Sequence, residues 1–424
     1  MDQFSIRQIE TSEPVKSSNL HNSKVKNKTA DNARGVTLLS WLCGVCLFSF
    51  LYETLLPATP HMTSLFPYPM EKNAGPLVWL MAGVAIGTLA GGAASDRLGR
   101  RNTLLTALVI AGLGSLISFV FVKNWSAFVS GRLLAGSGSG AALVLCRVSL
   151  REECELSRQL LVSSYLSLSV ALTTVTSPLL GILTFEAFGL SGLLLLNLVF
   201  SGFVLFVAIY GFKETQKIKN DHRGLANLFS DAGKLLHDSH FLLVTSVVTL
   251  AWVIFVLLGA SLPTLLQGQF SLSRKEYAVA IAAAYFAYFF GIRVSRQILS
   301  DVGPYVQIIR ATLMLVLVFG TMIVYVMQNN VSAYAFIGAV VCVYFLLGFI
   351  LPLAQALVMR DKYPSFGLVA SLFYFTELLC GAVALWVFSA VHGDLLTKLV
   401  VACLVTATVL SFVGFGLAAR VRHI

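Results

Sequence analysis

The strongest constraint on this chain is a series of apolar runs, each about 20 residues or longer, that recur from residue 35 almost to the end of the sequence. About 20 apolar residues in a helix cross a hydrocarbon layer roughly 30 Å thick. Inside that layer every backbone N–H and C=O needs an internal partner, so only helices and closed barrels span it. These runs are too long for barrel strands and do not alternate. They predict an all-α membrane protein with twelve spans, at 35–62, 76–95, 103–123, 126–150, 160–185, 189–212, 241–267, 276–299, 304–328, 332–358, 366–390 and 396–419. Composition agrees: 57% of the residues are hydrophobic and 12% are charged, against about 25% charged in soluble domains.

Charge placement orients the spans. Of the 30 Lys and Arg, 24 fall on one face, and five (Lys72, Lys123, Arg274, Lys275, Lys398) fall on the other. The remaining one, Arg132, lies inside a span. Basic loops stay on the cytoplasmic side, so both termini are expected in the cytoplasm. The net charge of +10 then reflects topology and implies no nucleic-acid partner; the bilayer is the expected surroundings. The seven cysteines lie in spans or cytoplasmic loops. Cys43 and Cys46 form a C-x-x-C with no second pair, so neither a disulfide nor a metal site is expected.

Polar stretches divide the chain. Residues 1–33, rich in Ser, Asn and Lys and without periodicity, read as a disordered cytoplasmic tail. The longest internal polar stretch, 213–240, reads as a cytoplasmic linker between near-equal halves, 34–212 and 241–419, leaving 420–424 as a short cytoplasmic C-terminus. Two sets of six spans suggest a duplication, hence two pseudo-symmetric six-helix bundles. Within the linker, the apolar spacing over 225–236 predicts a helix at the membrane surface.

The sharpest local pattern lies between spans two and three: Gly92-Ala-Ala-Ser-Asp96-Arg97-Leu98-Gly99-Arg100-Arg101, or G-x-x-x-D-R-x-G-R-R. It sets one acid and three cations in a tight turn, where Gly99 allows a backbone conformation other residues resist. Asp96 is suited to accept from a nearby helix N-terminus. The segment resembles the signature loop of the major facilitator superfamily. Further likenesses follow in order. Arg132-Leu-Leu-Ala-Gly136-Ser-Gly138 in span four is similar to the R-x-x-Q-G-x-G of drug:proton antiporters, with Ala135 in place of Gln. Arg147-Val-Ser-Leu-Arg151 resembles the R-A-x-x-R of the bicyclomycin-resistance (Bcr/CflA) branch. Ser177-Pro178-Leu-Leu-Gly181 resembles the G-P-x-x-G antiporter motif, with Ser177 for the first Gly. Glu53-Thr-Leu-Leu-Pro57 resembles that branch's D-x-x-x-P, with Glu for Asp, and Gly348-Phe-Ile-Leu-Pro352 and Pro364-Ser-Phe-Gly367 are also like it. The resemblance implies the major facilitator fold and proton-coupled multidrug efflux across a bacterial inner membrane, in a monomer driven by the proton gradient without a cofactor. Siderophore or metabolite export and proton-coupled import use the same scaffold.

Charges at membrane depth are costly and need a reason. Only two acids, Glu53 and Glu377, lie well inside spans, and no histidine does. Protons would therefore ride on carboxylates. A carboxyl group that burial favours protonated, with a cation nearby to compete, can exchange a proton. Glu53 is the expected carrier, and the resemblance implies Arg132 as its competing cation. Glu377 is expected to face the substrate cavity, as a cation contact, a second proton site or a structural pair. Tyr285 and Tyr374 are expected on the cavity wall. The ladders Gly83-x-x-x-Gly87-x-x-x-Gly91 and Gly136-x-x-x-Gly140 predict close helix packing, and Pro178 with Gly181 predicts a bend in span five. Motifs of metalloproteases, serine hydrolases and ATP-binding loops are absent from the sequence, and the short loops leave no room for a sensor domain. An enzyme is not expected.

Overall fold

The computed structural model describes residues 18–65, 75–154, 156–215, 232–299, 301–328, 331–358 and 366–422. Among them, eleven helices are long and apolar enough to cross a membrane. One of these, Tyr165–Gly211, has 47 residues, about 70 Å of helix and twice the hydrocarbon thickness. Gly189 (φ 65°, ψ −162°) breaks it, and only glycine enters that region without strain. The two halves are spans five and six, and the fold is an all-α bundle of twelve spans.

Span one keeps its expected bounds, Gly35–Met62, but its helix begins before the span and is interrupted within it. Its helix starts at Ser18, where the sequence suggested an irregular tail to residue 33; residues 1–17 lie outside the described part. No Pro or Gly interrupts residues 18–34, so nothing in them stops a helix that propagates one bond per residue. At the other end the helix stops at Glu53, before a 3-10 turn at Leu56–Ala58 and a short helix at Thr59–Leu65. Pro57 supplies no N–H for the Glu53 carbonyl, and the backbone passes into the 3-10 turn at this point. The N–H of Leu55 turns to the carbonyl of Tyr52 at 3.2 Å. Most of the linker, including 216–231, is outside the described residues; 232–237 forms a helical turn.

The remaining spans are Pro76–Leu98 (two), Arg100–Val120 (three), Trp125–Glu153 (four), Ser239–Pro263 (seven), Arg274–Ile298 (eight), Pro304–Met327 (nine), Ala333–Val358 (ten), Phe366–Ala390 (eleven) and Leu395–Arg422 (twelve). In lipid, helix association depends on close packing more than on the hydrophobic effect, and the glycine ladders provide it. A Cβ on Gly83 would lie 2.1 Å from the Leu133 carbonyl oxygen, and one on Gly87 1.9 Å from that of Ser137. From the facing helix, a Cβ on Gly136 would lie 2.1 Å from the Leu80 oxygen. Spans two and four thus pack backbone to backbone. Large apolar side chains such as Leu172, Phe286 and Phe412 are exposed, as a lipid-facing perimeter requires.

The two halves meet where span eleven lies along span two and span eight touches the span five–six helix. The turn after span one packs on span seven. Gly92 permits one of these approaches, because a Cβ there would collide with the Ser371 hydroxyl at 2.1 Å.

Candidate functional site

A cavity of about 1030 Å³, its open side included, lies between the halves and is lined from spans one, four, five, seven, eight, ten and eleven. Glu53 lies at one end of it, and Arg147 and the exposed Arg296, at the basic ends of spans four and eight, lie at the other. Beyond Glu53 the bundle is filled: Leu55, Leu56 and Met62 have no exposed surface. The cavity therefore reaches the face that carries the basic loops and ends at Glu53.

Glu53 is 3% exposed, so it sits in the protein interior and not among lipid headgroups. Its Oε2 accepts from the Tyr285 hydroxyl at 2.6 Å, a bond from span eight to span one that crosses between the halves. Tyr52, Tyr277 and Tyr344 are buried around the same carboxyl and sense its charge. Tyr285 is therefore a partner of Glu53 and not, as the sequence suggested, a cavity wall; Tyr288, one helical turn on, takes the wall position. A period of 3.6 residues puts both tyrosines on one side of span eight, but only the packing against span one decides which of them the cavity sees.

Arg132 lies at the same end of span one. It is fully buried, but the structure does not pair it with Glu53. Its Nη2 donates to the Leu51 carbonyl at 2.6 Å. The physical reason is the end of span one's helix: the Leu55 N–H that would have bonded Leu51 turns to Tyr52, and the guanidinium takes the carbonyl left over. Nε and Nη1 of Arg132 have no hydrogen-bond partner. Gly181 completes this corner. A Cβ on it would lie 2.3 Å from the Thr54 carbonyl oxygen, so span five can press against span one just past Glu53. The Thr54 hydroxyl also bonds Asn197 of span six at 2.8 Å. Pro178, one turn before Gly181, stands inside the helix without ending it.

Glu377 is likewise 3% exposed and lines the cavity. It accepts from the Gln355 amide at 3.3 Å and interacts electrostatically with Arg147. Tyr374 lines the cavity, with the Arg147 guanidinium 5.1 Å above its ring. Trp252 and Phe255 stack at 5.2 Å and add an aromatic wall. Sequence reading missed Trp252, Phe255, Gln355 and Arg296 because nothing in an apolar run says which face turns inward. It quoted Arg147 only as part of a motif.

The loop motif has its own geometry. Gly99 takes φ 90° and ψ 155°, as its choice at the turn implied. Arg100 pairs with Asp96 at 2.7 Å and with Glu152 of span four at 2.9 Å, and its Nη1 also donates to Ser95. Arg101 donates to the Phe212 carbonyl at 3.0 Å. The expected acid at a helix N-terminus is present, but it is Glu214, whose carboxylate accepts from the N–H groups of Arg100 at 2.9 Å and Arg101 at 3.1 Å. Spans two, three, four and six are thus tied together within one half. Gly92 packs against Ser371 of the other half. Arg97 is exposed.

These features agree with comparisons to known proteins. About half of the chain, 202 residues (48% of it and 51% of the relative), is 25% identical to the multidrug resistance protein MdtL of Salmonella dublin. The same protein of Salmonella typhimurium matches over the same shares at 25% identity. The chain thus spans about half the length of these relatives. Among solved structures, the human organic anion transporter MFSD10 superposes with a TM-score of 0.69 at 17% identity, covering 91% of this chain and 99% of that one. The xylose transporter XylE from E. coli superposes with 0.65 at 13%, covering 89% and 97%. At these identities the likeness is one of fold. The family match runs through the span-one acid, the loop motif, the cavity and most of span eleven: residues 41–385 fit the model of the Major Facilitator Superfamily, and the chain belongs to that family of membrane transporters.

Proposed function

We propose that the protein is a proton-coupled exporter, exchanging protons for small organic molecules across a bacterial inner membrane. The observation that carries this reading is Glu53: a buried carboxyl at the closed end of a cavity that reaches the basic face, hydrogen-bonded across the two halves by Tyr285. A carboxylate isolated from water is costly unless it is protonated or paired. Its proton state is therefore linked to whichever arrangement of the halves supplies or removes a partner. In the arrangement described, Tyr285 is that partner. Arg132 holds the carbonyl two residues before Glu53 and has two donors unused, so it is placed to compete with the proton when the halves move. The likeness of half the chain to proteins named for multidrug resistance favours efflux, and the basic face is taken as cytoplasmic from the charge asymmetry.

The test is Glu53→Gln in proteoliposomes that carry an internal pH indicator and an imposed pH gradient. Cationic, neutral, anionic and metal-chelating compounds are added in turn. Wild-type protein is expected to move protons in response to its substrate, and the variant, equally well folded on size exclusion, to move none. Undiminished exchange by Glu53→Gln removes the role assigned to this residue.

A further inference from the structure

The charged groups around the cavity are not used equally. Both acids have donors: Glu53 has the Tyr285 hydroxyl and Glu377 has the Gln355 amide. The two guanidiniums in the lining do not have matching acceptors. Among the described residues, Arg147 makes no ion pair, and its buried Nε has no hydrogen-bond partner. Glu377 is the acid that senses it, yet bonds Gln355 instead. Arg296 stands exposed on the lining, also without an ion pair among the described residues. Arg147 belongs to the first half and Arg296 to the second, so one ligand could engage both halves.

A guanidinium held in a cavity with unused donors calls for an acceptor, and a carboxylate matches its fork. The Tyr374 ring lies beneath the Arg147 guanidinium. The surrounding wall is apolar and aromatic: Phe48, Trp252, Phe255 and Tyr288. We infer that this cavity selects organic anions, specifically a carboxylate on an aromatic body, with Arg296 receiving the anion at the mouth and Arg147 fixing its carboxylate. The inference rests on the cavity being the transport site, and it deepens that reading by naming the charge of the cargo.

Isothermal titration of the purified full-length protein in detergent, without any gradient, tests it with three probes: 2-naphthoate, its neutral isostere 2-naphthamide, and tetraphenylphosphonium. Naphthoate is expected to bind at least about 10-fold tighter than the amide, the worth of one hydrogen bond to a charged group, and tighter than the cation. Arg147→Gln and Arg296→Gln should each remove most of the naphthoate preference and leave amide affinity unchanged. Because Arg296 is exposed, its variant keeps the test valid even where Arg147→Gln folds poorly. Equal affinity for acid and amide, tightest binding of the phosphonium, a preference that survives both substitutions, or no binding of any probe overturns the inference. Proton exchange by wild type and Glu53→Gln in proteoliposomes, measured apart from the titrations, separates the two readings. Lost proton exchange without any anion preference would leave the coupling proposal standing and this one refuted.

Discussion

Gly99→Ala adds one methyl group at the turn between spans two and three, and the structure sets two costs on it. The backbone there has φ 90° and ψ 155°, a region that side-chain-bearing residues enter at about 1–3 kcal/mol. The new Cβ would also lie 2.7 Å from Glu214 Oε2, too near for van der Waals contact, so the carboxylate must withdraw. Withdrawal surrenders its bonds to the N–H groups of Arg100 and Arg101. A charge at an exposed helix N-terminus is worth about 0.3–1 kcal/mol. The total for Gly99→Ala is then about 1.3–4 kcal/mol, and Glu214→Ala alone costs only the smaller share. The double variant should cost less than the sum, since with the carboxylate gone the methyl displaces nothing and only backbone strain remains. Denaturation of the four proteins in detergent gives this cycle. Strict additivity, or a Gly99→Ala protein within about 0.5 kcal/mol of wild type, would refute the claim that the glycine exists to admit Glu214 to the helix terminus.

Two further outcomes follow from other contacts. Gly87→Ala places a methyl 1.9 Å from the Ser137 carbonyl oxygen; because the obstacle is backbone, spans two and four must separate. The expected cost is at or above the usual 1–3 kcal/mol of overpacking, read as a lowered melting temperature and a reduced yield of monodisperse protein, whereas unchanged values would contradict the helix contact. Asp394, in the turn before span twelve, accepts from the Thr397 N–H at 2.9 Å and the Thr397 hydroxyl at 2.8 Å, and these donors, the N–H foremost, hold its carboxyl below the ordinary 3.8. A depressed pKa means stability that is present above the unfolded value and is lost as pH falls through the folded one. Asp394→Ala should therefore melt below wild type at neutral pH, and the gap should close as pH drops below about 3.8; a gap that persists there would show that the cap acts without its charge.

The order of apolar runs was enough to determine that this chain is a bundle of about twelve membrane helices, because hydrocarbon leaves a backbone no other open-ended choice. The glycine ladders were legible for a similar reason. Spacing by four puts small residues on one face, and the structure fills that face with another helix's backbone. Glu53 and Glu377 could be singled out because a carboxyl group inside an apolar run is too costly to be incidental. Their partners could not be found this way. Tyr285 and Gln355 are ordinary polar residues in their own spans, 232 and 22 residues away in sequence. Arg132 took a backbone carbonyl that is free because the Leu55 N–H turns to Tyr52 where span one's α-helix ends. Glu214 reached the span-three terminus from the far end of span six. Periodicity tells which residues share a face of a helix, but the choice of what that face meets belongs to the packing of one helix against another, and only the tertiary structure decided it.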